Sequence, residues 1–243
     1  MSLEFIIFFS ILSFLTSLLT SVFSVGGGLI MLVALAQYFS PGTLIPLHGA
    51  IQLSNNLSRT YVYKEFFKWQ LIKNILIATI FGAFCAILLF GSVSEKVLIW
   101  LIAGTILFFT WVPLDNFVLS IIKNDWFCGF ISGFAGVFIG ANGPLVTSYM
   151  RTKDLSPEVL VANHGAVMIF QHSIKIILFM YFFKLSFNSP RPIITASNFN
   201  EFFKILRASS VASGCEVAAI AFGEIESEFL LDFINKFYRI NLN

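Results

Sequence analysis

The chain has 243 residues, 57% of them hydrophobic and only 12% charged, with a mean hydropathy of +0.86 and a formal net charge of +2. So apolar a composition excludes a soluble globular domain, and the scattered Lys and Arg residues form no patch for nucleic acid. At roughly 20 residues per span it predicts an all-α, polytopic transmembrane bundle of about eight segments.

Hydrophobic runs extend over residues 5–23, 28–39, 43–63, 71–91, 97–114, 126–140, 143–150 and 158–183. The first run lacks a basic leader and further runs follow at once, so it is expected to stay as a span. The runs 28–39 and 143–150 are too short to cross a bilayer as straight helices. Each follows a glycine-containing break, Ser24-Val25-Gly26-Gly27-Gly28 and Gly140-Ala141-Asn142-Gly143-Pro144. Backbone without helical hydrogen bonds is costly in lipid and persists where protein or a water-filled cavity satisfies it, so these breaks are candidate site walls. Cys85, Cys128 and Cys215 lie far apart, with no CxxC pair and no His at metal-ligand spacing, and read as small core residues. No metal or prosthetic cofactor is implied.

An internal repeat organises the chain. Ser40-Pro41 through Phe66-Phe67-Lys68 aligns without a gap on Ser156-Pro157 through Phe182-Phe183-Lys184, matching His48-Gly49-Ala50 with His164-Gly165-Ala166. Upstream, after a one-residue gap, Val22-Phe23 matches Val137-Phe138 and Gly28 matches Gly143. The expected units are residues 1–122, a second core over 123–187, and a divergent polar continuation over 188–243, where Arg207 and Glu216 interrupt the next span. That tail reads as an amphipathic specialisation or a damaged gene end. Lys64, Lys68 and Lys73 follow the first copy's third run, whereas in the second copy Arg151 and Lys153 precede it. Equivalent turns therefore face opposite sides by the positive-inside bias, and the copies are inverted with broken helices.

On the helix beginning near Leu44, His48, Gln52, Asn55 and Arg59 fall within about 60° of one another. The same offsets in the second copy give His164, Met168, Gln171 and Lys175, with Asn56 and His172 about 80° to one side. Polar groups at membrane depth are expensive and usually face the bundle interior or a water-filled path. The competing reading is that Asn and Gln bridge neighbouring helices while Arg59 and Lys175 snorkel to an interface.

No Asp or Glu lies inside the runs from 5 to 63 or 126 to 150. Cation pathways ordinarily need carboxylates or carbonyl cages, so this interior of imidazole, amide, guanidinium and ammonium groups suits an anion. An oxyanion can take hydrogen bonds from Gly27, Gly28, Asn142 and Gly143, while a histidine carries a coupled proton. The competing reading is that the glycines merely allow close helix packing.

The segments SVGGGLIML and SPGTLIPLHGAIQLSNNLSR, recurring as GVFIGANGPLV and LSPEVLVANHGAVMIFQHSIK, resemble the TauE/SafE family, the sulfite exporter family. The resemblance covers roughly residues 1–187. It implies a bacterial inner-membrane protein that exports sulfite, sulfonates or related small anions. The expectation is a secondary transporter whose partners are a small anion and the lipid bilayer, a homo-oligomer being compatible with the sequence. The alternatives are a non-transporting assembly subunit and, with neither nucleophile nor base in place, an intramembrane enzyme.

Overall fold

The structure, a computed structural model, describes residues 3–23, 26–112, 122, 124–140 and 142–186. The polar tail, Ala141 and Cys215 lie outside the described residues. Among the described residues there are eight α-helices: α1 (Leu3–Phe23), α2 (Gly27–Ala36), α3 (Pro41–Val62), α4 (Trp69–Phe90), α5 (Glu95–Trp111), α6 (Asp125–Ile139), α7 (Gly143–Arg151) and α8 (Pro157–Ser186). There is no strand among the described residues, so the fold is the expected all-helical bundle.

Helix starts follow local chemistry. Pro41 supplies a first-turn proline to α3. The side chains of Ser94 and Asn124 accept from the backbone N–H groups of Val97 and Phe127, capping α5 and α6. Gly26 (φ 108°) and Gly140 (φ 81°) take left-handed backbone at the two breaks, a conformation closed to most side chains. At 1.5 Å per residue the 22-residue α3 and α4 reach about 33 Å, a full bilayer core. The 10-residue α2 and 9-residue α7 reach about half of that.

Polarity is arranged inside out. Phe81, Phe84 and Leu88 on α4, Phe8, Ile11 and Leu18 on α1, and Trp100 and Leu107 on α5 are exposed, whereas His48, Asn55, Arg59, His164 and Lys175 are buried. Water would penalise such a surface and lipid would not. Trp69, Trp111 and Trp126 are exposed at helix ends, where an aromatic belt sits. By length and composition α4 can cross a membrane, with a mean hydropathy of 2.2 over its most apolar window.

Two apolar clusters each enclose a short helix, α2 in one and α7 in the other. Phe9, Met31, Leu35 and Leu47 join α1, α2 and α3, while Ile72, Val146, Met150 and Val167 join α4, α7 and α8. A third, with Ile45, Ile87, Val137 and Phe179, ties α3, α4, α6 and α8 together. The closest helix pair is α4 with α6. There a Cβ on Gly129 or Gly82 would overlap the carbonyl oxygens of Ile75 and Phe130, so the backbones touch. Small residues permit that approach, and dispersion between the backbones holds it.

The pair α3 and α8 forms the centre. A Cβ on Gly49 would meet Lys175, Ile176 and His172, and a Cβ on Gly165 would meet Thr60 and Asn56. Under the alignment of 49 with 165, residues 172 and 176 correspond to 56 and 60. Each helix thus presents its glycine to the other's equivalent turn, the reciprocity that a two-fold axis produces.

Candidate functional site

Each break sets the amino end of a short helix beneath a histidine. His48 donates from Nε2 to the carbonyl oxygen of Gly28 at 2.8 Å, and His164 donates from Nε2 to that of Gly143 at 3.3 Å. A carbonyl only accepts, so the proton of each neutral ring sits on Nε2. These bonds attach α3 to the start of α2 and α8 to the start of α7. Between them lies a cavity of about 50 Å³, which holds about three or four waters or one small oxyanion.

The polar wall comprises His48, His164, His172, Arg59, Gln52, Asn56, Asn142 and Thr20. The rings of His48 and His172 meet edge to face, with centroids 6.2 Å apart. Nε of Arg59, Nδ1 of His172 and Oδ1 of Asn142 are buried without a hydrogen-bond partner among the described residues. Among the described residues no Asp or Glu lines the cavity. Glu4, Glu65, Glu95 and Asp154 are exposed, Glu158 is half-buried in the first turn of α8, and Asp125 binds Lys153 Nζ at 2.5 Å and the Tyr149 hydroxyl at 2.8 Å. Arg59 therefore stands as a buried cation without a carboxylate among the described residues, and its charge is available to an anion.

Of the residues singled out from the sequence, Gly28, His48, Gln52, Arg59, Asn142, Gly143 and His164 line this cavity. Gly27 lies elsewhere, since a Cβ there would overlap the Thr16 carbonyl; it lets α2 pack on α1. Asn55 is buried away from the cavity wall, its Oδ1 unpartnered. Gln171 and Lys175 line a second, smaller cavity with Thr79, Gly133 and Asn142. There Gln171 donates to Ser132 Oγ at 2.8 Å and Thr79 Oγ1 at 3.1 Å and accepts from Asn142. Lys175 donates to the Gly140 carbonyl at 2.8 Å.

Asn56 and His172, the flanking positions, belong to the wall. The open face of α3 runs along residues 48, 52, 56 and 59, and that of α8 along 164, 168 and 172. Both are turned by part of a helical step from the stripe through 55 and 171, because crossing of α3 over α8 aims that edge at the neighbouring helices. Asn163 is outside the site: it accepts from Lys68 N at 2.9 Å and donates to the carbonyls of Phe66 and Val159, fixing the turn after α3.

No curated protein and no solved structure matches the chain. The family model "Sulfite exporter TauE/SafE" matches residues 9–197, which include both breaks and both histidine-bearing helices. That match spans well over half of the sequence, and the chain accordingly belongs to the sulfite exporter TauE/SafE family of membrane transporters.

Proposed function

We propose that this chain moves small oxyanions, sulfite and compact sulfonates above all, out of the cell across a bacterial inner membrane. The observation that carries the reading is the cavity itself: Arg59, three histidines and two half-helix amino ends around a space that no carboxylate lines among the described residues. A helix amino end bears about half a positive charge and free N–H groups, so α2 and α7 both favour an anion there. Arg59 supplies the full charge that offsets the several kcal/mol of desolvating a monoanion. The volume of about 50 Å³ favours a small inorganic oxyanion over a long organic tail.

The mechanism we propose is alternating access between two inverted copies, with a proton moving alongside the anion. The reciprocal seating of Gly49 and Gly165, and the matched bonds of His48 to Gly28 and His164 to Gly143, support this arrangement. Rocking about such an axis exposes one cavity to either side in turn.

Counterflow of labelled sulfite into proteoliposomes tests the function. Purified protein should exchange label at least tenfold faster than empty vesicles, unlabelled methanesulfonate should compete, and chloride should compete weakly. Vesicles that exchange neither sulfite nor methanesulfonate would overturn the reading.

A further inference from the structure

Lys175 is 3% exposed, in the middle of α8, and no carboxylate among the described residues pairs with it. Its ammonium has three donors, and one is used on the Gly140 carbonyl. Gly140 closes the carboxyl end of α6. The dipole there is negative, which favours a cation. His48 and His164 are tied instead to the first turns of α2 and α7, where the dipole is positive and an imidazolium is disfavoured. The carboxyl end of α6 is thus a seat for a transient positive charge, and Lys175 occupies it with His48 Nδ1 beside it.

The smaller cavity, about 10 Å³, has room for a single water. It is lined by Lys175, and it shares one residue, Asn142, with the anion cavity. Asn142 donates from Nδ2 to the Ser132 carbonyl at 2.7 Å. That oxygen only accepts, so the amide orientation is fixed and Oδ1 is the end left buried and unpartnered. A donor is required at that oxygen.

We propose that Lys175 carries the coupled proton, and that a water in the small cavity links its Nζ to Asn142 Oδ1, at the wall shared with the anion cavity. This rests on the reading of the chain as a proton-coupled anion transporter. An arginine keeps its charge under all accessible conditions, whereas a lysine stripped of water can release its proton. Arg59 is then the fixed charge and Lys175 the variable one. In the step itself a hydronium O–H bond breaks as an N–H bond forms at Nζ, and release reverses both; no electron is transferred. The titratable groups facing Lys175 are His48 from α3 and His172 from its own helix, and α4 and α6 place none in the small cavity.

The test measures labelled sulfite and internal pH together in proteoliposomes and reads protons moved per anion. Lys175→Arg and Lys175→Gln should lower that ratio at least tenfold at whatever anion flux remains, and His48→Gln should keep it. A structural defect would lower both fluxes in proportion. An unchanged ratio in both Lys175 variants, or wild-type anion flux without protons, would overturn the inference. Wild-type vesicles that move no anion would instead sink the transport reading itself. For a variant with no flux, binding of methanesulfonate, an anion that does not titrate, is followed against pH in detergent. Wild-type affinity should weaken at least tenfold as pH rises, because the charge opposite the anion is lost; Lys175→Arg should be flat. A flat wild-type profile overturns the proposal.

Discussion

A Cβ placed on Gly133 would stand 2.6 Å from the carbonyl oxygen of Thr79, closer than any side chain tolerates. The helices α6 and α4 meet there along Gly129 and Gly133, four residues apart on one face. Because the obstacle is backbone, no rotamer change relieves it, and overpacking of this kind costs about 1–3 kcal/mol. Gly133→Ala should therefore lower the thermal midpoint of the detergent-solubilised protein by several degrees. Gly104→Ala on α5, where nothing lies within 4 Å, should hold or slightly raise it. Equal midpoints for the two variants would mean that α4 and α6 are not in backbone contact.

Gln171 is predicted to act on stability first. It binds Asn142, Thr79 and Ser132 at once, deep between α4, α6 and α8. Replacing it by leucine removes one partner from the Asn142 amide, which keeps the Ser132 carbonyl, and one from each of two hydroxyl groups; a fully unsatisfied buried group costs about 1–3 kcal/mol. Thr79 and Ser132 keep a second partner in the Gly129 carbonyl, which softens the loss. Gln171→Leu should cost about 2 kcal/mol in reversible denaturation. A variant as stable as wild type would show that the network is not formed.

Helix positions were legible in the sequence because run length and glycine or proline punctuation are local signals. The run 143–150, for instance, became α7 (Gly143–Arg151). The site was legible to the resolution of a helical wheel. His48, Arg59 and His164 were found from one periodicity, while the edge that faces the cavity depends on how α3 crosses α8, which no single helix encodes. Hence Asn56 and His172 line the wall, and Asn55 and Gln171, one position back on the same turns, point elsewhere. The spacing of Gly129 and Gly133 was a readable signal of close helix packing. Gly27 shows the converse: its membership of a glycine run marked it for the site, and its contact with α1 gives it a packing role.

Arg59 and Lys175 occupy matched positions on α3 and α8, yet only Arg59 lines the anion cavity. A guanidinium presents a fork of donors to an oxyanion, and a lysine in its place keeps the charge but loses the two-point contact. Arg59→Gln should reduce sulfite counterflow at least tenfold, and Arg59→Lys should fall between that variant and wild type, chiefly through a raised KM. Counterflow in Arg59→Gln equal to wild type would place the anion elsewhere.

Asn142→Asp is the sharpest probe of the cavity's sign, since it exchanges one atom type at nearly constant shape. Asn142 precedes α7 and lines both cavities. A carboxylate there enjoys the positive end of the α7 dipole and lies beside the cavity that holds Lys175, but it gives up the two bonds that Nδ2 donates to the Ser132 carbonyl and Gln171, so the protein should fold with a thermal midpoint lowered by several degrees. The same charge faces the space where the anion binds, and like charges at close range in a poorly solvated site repel by several kcal/mol. Two losses then coincide, since the new carboxylate opposes the substrate and also competes for Lys175. Methanesulfonate binding should fall by at least a hundredfold at temperatures where the variant is still fully folded. Should Asn142→Asp bind the anion as tightly as wild type, the site would not be the carboxylate-free cavity between α3 and α8. Should it bind a cation instead, the absence of acidic groups would be shown to set the selectivity on its own.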